Sequence, residues 1–226
     1  MFRELEADLY VVEQPFEFFG LELGARMTIV RRKNDDLWVY APFKVSEEEL
    51  AAIKSKGKVR DIVVPNTFHT TQVGDFSRRF SDATVWALPE LKPKLSSVPH
   101  ETLNSVLNEW KEDFDGFLFE GAKGFKEWTF CHRPSRTLLI TDLGFHLPRQ
   151  KTARGRIVAR LNDVGRRFGP SRFERAMMKL GNRTQERQGI QTILDFDFGR
   201  ILAGHGLVIE REAKRRFRAA YRFLGV

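Results

Sequence analysis

The segment LWVYAPFKVSEEELAAIKSKGKVRDIVVPN, residues 37–66, predicts the fold class, because it places a helix between two apolar strands. Its first and last parts are rich in β-branched and aromatic residues, which are typical of strands. Between them, Ser46 and Glu49 have the spacing of a capping box at a helix start, and Gly57 is placed to end the helix. A strand, helix, strand unit favours parallel pairing and a layered α/β architecture.

The segments on either side predict two β-hairpins. RMTIVRR (residues 26–32) comes before the first strand of this unit, and the polar KNDD between them is typical of a turn. Further along the chain, GFLFEG, EWTFCHR and RTLLITDL are three short strand candidates within residues 116–143. The RPSR between the last two is a turn signal, so we expect a second hairpin there.

Apolar periodicity predicts helices in residues 98–111, 154–168 and 170–181 and at the end of the chain. The first of these helices is expected to cover one face of a sheet. The residues expected on the buried faces are Leu103, Val106, Leu107 and Trp110 in the first helix, Ile157, Leu161, Val164 and Phe168 in the second, and Ala213, Phe217, Ala220, Tyr221 and Leu224 in the last.

Length and composition predict one folded domain over residues 1–226. The chain is 42% apolar and has no low-complexity linker, so it is long and apolar enough to bury one substantial core. Its apolar stretches are too short to span a bilayer, and the N-terminal sequence lacks the pattern of a signal peptide, so we expect a cytoplasmic protein. The single cysteine, Cys131, excludes an intrachain disulfide and a cysteine-rich zinc module, and we expect it in the core.

The basic side chains are concentrated in the last third of the chain. Residues 149–226 carry 19 basic and 7 acidic side chains, whereas residues 1–148 carry 19 basic and 23 acidic ones. This surplus is explained either by solvated helix faces or by a surface for an anionic small molecule, anionic lipid or nucleic acid. Nucleic acid is the less favoured partner, because no recognised nucleic-acid-binding motif is present. The arginines that could meet phosphate groups are Arg154, Arg156, Arg160, Arg166, Arg167, Arg172, Arg175 and Arg183.

Three residues with metal-binding side chains come at the ends of apolar runs. His69 lies in PNTFHTTQVGDF (residues 65–76) after DIVV, Asp142 lies in ITD, and His205 lies in AGHG. Each also has an ordinary structural explanation. A histidine can bond to the backbone at a strand end, one between two glycines can belong to a tight turn, and an aspartate can satisfy loop amides.

The order of elements and these three motifs resemble the metallo-β-lactamase superfamily. In that family one strand ends in a Thr-His-x-His-x-Asp-His loop, a later strand ends in Gly-Asp, and a strand near the C-terminus ends in Gly-His-Gly. The resemblance implies a four-layer αββα sandwich. Details such as LWVYAP, VVPN and SRTLLITDL look like a branch of that superfamily catalogued as a domain of unknown function.

The resemblance also implies that the metal site is eroded. With His69 on the second histidine of the family loop, Thr67, Thr71 and Gln72 replace the first histidine, the aspartate and the last histidine. A further histidine ligand would fall in FEGAKGFKE, residues 119–127, which contains none. Neutral threonine and glutamine oxygens bind zinc weakly, so we do not expect a two-zinc site.

What remains is compatible with a single zinc or iron ion held by His69, Asp142 and His205, with His132 or His146 as candidates to join them. We expect Asp142 and His69 to be the catalytic residues. A metal-free site is an alternative, with Asp142 and either His69 or His205 as an acid and base pair. The leading functional hypothesis is a hydrolase-like protein, and the competing one is a non-catalytic binding protein that uses the old cleft or the basic helices.

Overall fold

The computed structural model describes residues 1–226, apart from the side chain of Ser105. The chain forms two compact units. The N-terminal unit comprises Met1–Glu13 and Arg26–Asp113, and the C-terminal unit comprises Gln14–Ala25 and Phe114–Val226.

Both units combine strands with helices. The strands are β1 (Phe2–Glu6), β2 (Leu9–Gln14), β3 (Glu17–Phe18), β4 (Leu21–Glu22), β5 (Ala25–Arg31), β6 (Asp36–Tyr40), β7 (Lys58–Val63), β8 (Thr84–Ala87), β9 (Glu101–Thr102), β10 (Phe114–Glu120), β11 (Lys126–His132), β12 (Thr137–Leu139) and β13 (Arg200–Leu202). The α-helices are α1 (Glu47–Lys54), α2 (Val73–Arg79), α3 (Leu107–Trp110), α4 (Ala153–Leu161), α5 (Arg172–Leu180), α6 (Arg183–Asp195) and α7 (Ala213–Ala220). Short 3-10 turns occupy Pro89–Leu91, Leu103–Ser105, Ala122–Gly124 and Arg222–Leu224.

The N-terminal unit contains a sheet in the order β1-β2-β5-β6-β7-β8-β9. The predicted hairpin is present as the antiparallel pair β5 and β6, and the predicted parallel pairing of β6 with β7 is confirmed. Helix α1 connects these two strands. Its capping box forms as expected, because Ser46 Oγ accepts from Glu49 N at 3.2 Å and Glu49 Oε2 accepts from Ser46 N at 3.0 Å.

The long helix expected in residues 98–111 is not formed. Glu101 and Thr102 instead pair with β8 as the short parallel strand β9, which leaves a 3-10 turn and the one-turn helix α3. The burial predicted for this segment is largely confirmed, because Leu103, Val106 and Trp110 are buried. Trp110 packs edge to face on the strand residues Trp38 and Trp86, with ring centroids 5.7 Å and 5.8 Å away.

The C-terminal unit has a second sheet in the order β10-β11-β12-β13, and a separate small hairpin of β3 and β4. The hairpin predicted around RPSR joins β11 to β12, and β12 pairs in parallel with β13. A core of aliphatic and aromatic side chains from this sheet and from α5, α6 and α7 includes the buried Ile190, Phe217 and Tyr221.

The helices of the C-terminal unit match the sequence expectations in part. Helix α5 begins after Ser171 and ends at Leu180, and α7 buries Ala213 and Phe217, as predicted. For α4 the predicted buried face is wrong, because its buried residues are Gly155 and Ala159 while Ile157 and Leu161 are exposed. The helix ends at Leu161, so Val164 and Phe168 lie beyond it, but both are buried as predicted.

Helix α6, with Ile190, Ile193 and Leu194 buried, was not anticipated from the sequence.

Over the described part of the chain, no helix has the length and apolar character needed to cross a membrane.

Candidate functional site

Asp142 lies just after β12 in a loop that is held by a buried glutamate. Glu127, near the start of β11, is fully buried. Its carboxylate accepts hydrogen bonds from Thr141 N at 2.8 Å, from Thr141 Oγ1 at 2.6 Å and from Asp142 N at 2.7 Å. These three bonds fix the main chain that carries the Asp142 side chain.

Glu127 and Asp142 place two carboxyl groups in one small region. Burial, and then the negative charge of Asp142, raise the pKa of Glu127 to about 7, although the hydrogen bonds from Thr141 and Asp142 act in the opposite direction. Removing a carboxylate from water disfavours its charged form, and a neighbouring negative charge adds to the effect. Sequence reasoning missed Glu127. The only signal was an acidic residue at the start of the apolar run EWTF.

His205 is fixed by its ring, which is buried in the C-terminal unit. Its Nδ1 lies 2.6 Å from the carbonyl oxygen of Gly24. A carbonyl oxygen only accepts hydrogen bonds, so Nδ1 carries the hydrogen, and the neutral ring has its lone pair on Nε2. Phe16 and Phe145 each stack on the imidazole, with ring centroids at 5.9 Å. The orientation of Nε2 is therefore set by one hydrogen bond and two ring contacts.

The Nε2 atom of His205 faces the carboxylate of Asp142, with Oδ1 3.5 Å away. Two arrangements suit this pair. A protonated imidazole would form an ion pair with the carboxylate, whereas a neutral one would share a cation with it. Two ligand atoms bound about 2.0–2.2 Å from one tetrahedral zinc ion lie about 3.3–3.6 Å apart, so the separation fits the second arrangement.

The Gly-His-Gly turn requires a glycine at position 206. Gly206 has a φ of +75°, and a Cβ atom there would lie 2.4 Å from the carbonyl oxygen of His146. The turn is held by bonds from Gly206 N to Leu23 O at 2.8 Å and from Leu207 N to His146 O at 2.9 Å. No larger side chain fits without displacing the backbone, so this turn fixes the position of His205.

His69 lies in the N-terminal unit, in the loop that follows β7. The buried Asn66 shapes this loop, because its Oδ1 accepts from the backbone N–H groups of Phe68 at 2.9 Å and His69 at 3.1 Å. Gln72, where the family resemblance expects a histidine, uses Oε1 to accept from Lys44 N at 2.9 Å. Its side-chain oxygen therefore has a structural role.

The additional histidine candidates have different surroundings. His132 lies at the opposite end of β11 from Glu127, the residue that binds the main chain of Asp142. At about 3.3 Å per residue along the strand, His132 is about 16 Å from Glu127. The Nδ1 atom of His132 lies 2.7 Å from Ser135 Oγ. The expectation that it joins Asp142 is therefore wrong. His146 meets the Gly-His-Gly turn through its carbonyl oxygen. Cys131 is core as expected, and its pKa is raised to about 12, chiefly by burial.

A cavity in the C-terminal unit lies beside the Gly-His-Gly turn. It has a volume of about 620 Å³, and its lining includes Phe16, Gly24, Gly206, Arg149 and Lys151. Phe16 and Gly24 also contact the His205 ring. The cavity therefore adjoins the Asp142 and His205 pair and carries basic groups at its edge.

Solved structures similar to this chain along almost its whole length define the class of fold. A metallo-beta-lactamase from Pontibacter korlensis has a TM-score of 0.62 at 12% identity, covering 100% of this chain and 98% of its own. A metallo-beta-lactamase from Hirschia baltica has a TM-score of 0.62 at 12% identity, covering 97% and 96%. A putative diflavin flavoprotein A 5 from Nostoc sp. PCC 7120 has a TM-score of 0.65 at 9% identity, covering 100% and 96%. The predicted α/β fold of metallo-β-lactamase type is confirmed.

The family follows from a sequence model that matches residues 6–188. Its description is a domain of unknown function, DUF4336, and because the match covers most of the chain, the chain belongs to this family. No curated protein matches the chain in sequence. The assignment to a domain of unknown function is confirmed by this match, and the resemblance to metallo-β-lactamases is confirmed at the level of the fold.

Proposed function

We propose that this protein is hydrolase-like and binds one zinc or iron ion through His69, Asp142 and His205. Each of these side chains offers one ligand atom, and two imidazoles with one carboxylate suit either ion. His69 belongs to the N-terminal unit, whereas Asp142 and His205 belong to the C-terminal unit. We therefore propose that residues 1–226 act as a single domain.

The observation that carries the proposal is the pairing of His205 Nε2 with Asp142 Oδ1 at 3.5 Å. Histidine ligands of metals commonly donate their other ring N–H to a carbonyl or carboxylate, which fixes the tautomer. His205 donates from Nδ1 to Gly24 O in this way. Glu127 helps to fix the second ligand, because its carboxylate accepts a hydrogen bond from Asp142 N and so holds the main chain that carries the Asp142 side chain.

The substitutions around His69 favour one ion over two. Gln72, Thr67 and Thr71 stand where the family resemblance expects ligands, and neutral oxygens of these types bind zinc weakly. Gln72 already accepts a hydrogen bond from Lys44 N. A second ion would therefore lack the ligands on which the family pattern depends.

In the proposed site, each residue has a separate task. An ion with three protein ligands supplies a Lewis acid with open positions. Asp142 and His69 would orient the reacting groups and hold or move protons, while His205 keeps its lone pair on Nε2 through the bond to Gly24. The cavity beside the turn, with Arg149 and Lys151 in its lining, suits a small anionic substrate.

The decisive experiment is metal analysis of protein purified without a chelator or a histidine tag. We expect about one zinc or iron ion per chain, and at least a tenfold weaker affinity in His205→Ala and Asp142→Asn, because three ligands are the minimum for a catalytic site. His100→Gln is the matched control, since His100 lies outside the site and bonds to Val98 O. Unchanged metal content in all of these variants would reject the proposal.

A second candidate function is a binding protein without catalysis. The bond from Lys44 N to Gln72 favours it, because this bond gives a structural task to a position that would otherwise hold a ligand. In that case Asp142 and His205 form an ion pair, or an acid and base pair, without a metal. Folded wild-type protein that takes up neither zinc nor iron at micromolar concentrations would favour this second function over the first.

A further inference from the structure

The tip of the β3–β4 hairpin exposes an aromatic residue in an unfavourable backbone conformation. Phe18 pairs with Leu21, so Phe19 and Gly20 form a two-residue turn, with φ values of 48° and 78°. Such a turn requires positive φ at both central residues, and asparagine is strongly preferred at the first. A bulky residue there is uncommon and points to a function for its side chain. Phe18 and Phe19 lie edge to face at 4.5 Å.

Helices α4 and α5 continue this apolar exposure. Together with the hairpin tip they contribute six exposed large apolar residues, each between 55% and 80% exposed, namely Phe18, Phe19, Ile157, Leu161, Phe173 and Leu180. We call these six residues the apolar strip. Apolar residues that are exposed together mark interaction sites, whereas single ones need no explanation.

Local contacts join the parts of the apolar strip. The side chain of Arg154, one turn before Ile157 on α4, lies against Gly20 at the hairpin tip. At the other end of α4, Arg172 N donates to Asn162 O at 3.0 Å, which places the start of α5 beside the end of α4. The hairpin tip therefore lies beside the start of α4, and the start of α5 lies beside the end of α4.

The same segment carries the charge surplus of the chain. Residues 149–180 hold ten basic and two acidic side chains. The formal charge of this segment is therefore +8, which equals the formal net charge of the whole chain. Both acidic groups have partners within the segment. Asp163 binds Arg167 at 2.9 Å and Arg175 at 2.8 Å, and Glu174 completes the capping box of α5. Most of the guanidinium groups on this side are exposed to solvent.

A depression between α4 and α5 gathers three of these arginines. It has a volume of about 240 Å³ and is lined by Arg160, Arg166 and Arg172, together with Asp163. The carboxylate of Asp163 is already engaged by Arg167 and Arg175. Guanidinium groups bind phosphate oxygens in a bidentate manner, so the depression suits a phosphate group.

We propose that the apolar strip and the surrounding arginines form a docking surface for a membrane that contains anionic phospholipid. The apolar side chains would enter the interface between headgroups and acyl chains while the arginines bind lipid phosphates. Nucleic acid would use the arginines but would gain nothing from exposed leucine and isoleucine. A second copy of the chain would bring two strongly basic surfaces together, which the like charges oppose.

Vesicle flotation tests this proposal with protein that comprises residues 1–226. We expect binding to vesicles of phosphatidylcholine with 30% phosphatidylglycerol and little binding to phosphatidylcholine alone, with affinity that falls as salt rises. Phe19→Asn should weaken binding about tenfold, because it removes an inserted ring. Asparagine suits the turn, so this variant should fold at least as well as the wild type, which circular dichroism checks.

A charge-matched pair of triple variants separates the local surface from overall charge. Replacement of Arg160, Arg166 and Arg172 by glutamine should weaken binding about a hundredfold, since each basic residue near an anionic surface contributes about a fivefold gain in affinity. The same replacement at the exposed Arg211, Arg218 and Arg222 should change it less than about threefold. Equal losses in both triple variants would overturn the proposal. Salt-sensitive binding to RNA or DNA that Phe19→Asn leaves intact, without vesicle binding, would replace it with a nucleic-acid surface.

Discussion

The two loops that carry the candidate histidines hold them in different ways. His205 is only 6% exposed, and its ring is fixed by Gly24 O and by stacking with Phe16 and Phe145. The loop around His69 is shaped through the main chain, since Asn66 accepts from backbone N–H groups there. The Gly-His-Gly turn therefore specifies a side-chain orientation, whereas the Asn66 bonds specify a backbone path.

This difference indicates where a metal site can change while the fold persists. In the turn, Phe16 and Phe145 stack on the imidazole, and Gly206 has no room for a side chain, so substitutions there disturb packing as well as the proposed ligation. In the His69 loop, Gln72 stands where the family resemblance expects a ligand, and its Oε1 accepts a hydrogen bond from Lys44 N instead. A partly exposed loop can accept new polar partners at small cost, while a buried one cannot.

The largest expected effect follows from substitution of Gly206. Gly206→Ala should lower the free energy of unfolding by about 3 kcal/mol, because the φ of +75° is unfavourable for alanine and the new Cβ would lie 2.4 Å from His146 O. Urea denaturation followed by tryptophan fluorescence measures this change. Gly199→Ala is the control, since a Cβ there meets nothing within 4 Å, and it should cost less than about 1 kcal/mol. Equal effects of the two variants would contradict our description of the turn.

Substitution of the two histidines should have unequal effects on stability. His205→Ala should cost about 2 kcal/mol, because it removes a buried hydrogen bond and two ring contacts. His69→Ala should cost less than about 1 kcal/mol, since His69 is partly exposed and the Asn66 bonds involve backbone atoms. Both values come from urea titrations of metal-free protein. A larger loss for His69→Ala would reverse the comparison between the loops.

Local sequence patterns predicted those parts of the fold that depend on neighbouring residues. The capping box at Ser46, the parallel pair around it and the hairpin at RPSR all involve residues close in sequence or strongly patterned strands. The predicted apolar face of α4 failed because Asn162 ends the helix, so Val164 and Phe168 no longer follow helical spacing. Periodicity alone does not show where a helix stops.

The candidate site was only partly accessible from the sequence. Asp142 and His205 were found through short motifs, and their proximity depends on the pairing of β12 with β13. Glu127 was missed because its partners are 14 and 15 residues away, across a hairpin, and no local pattern marks such a contact. The role of Gln72 was hidden for the same reason, since Lys44 lies 28 residues earlier.

The pKa of Glu174 tests how well carboxyl groups are shielded from water in the C-terminal unit, which also contains His205. Glu174 completes a capping box like that of Glu49, but the pKa values of the two carboxyl groups shift in opposite directions. Burial raises the pKa of Glu174 from the ordinary 4.5 to about 7. Burial also acts on Glu49, but hydrogen bonds from the Met1 amino group and from Ser46 N outweigh it and lower the pKa of that carboxyl group. A raised carboxyl pKa means that the folded state binds the proton more tightly, so stability is lost as pH rises from about 4.5 to about 7.

Glu174→Gln keeps the capping box and removes this titration. We expect the variant to gain stability relative to the wild type as pH rises from about 5 to about 8, measured as the difference between their urea unfolding energies. Glu49→Gln should show the opposite sign at acidic pH, because a lowered pKa stabilises the fold above that pKa and the contribution is lost as pH falls. A difference that is flat with pH for Glu174→Gln would mean that this carboxyl is solvated.

The smallest expected effect tests whether the His69 loop still accepts a histidine where the family resemblance places one. Gln72→His removes the acceptor for Lys44 N, a bond exposed to solvent, so it should lower the free energy of unfolding by about 0.5 kcal/mol. Gln72→Ala removes the same bond without adding an imidazole and is the matched control. If position 72 can again supply a ligand, zinc should bind more tightly to Gln72→His than to Gln72→Ala, measured by competition with a chromophoric chelator. Equal zinc affinities would mean that the loop has lost the geometry of a metal site as well as its ligands, and only the turn around His205 would then retain it.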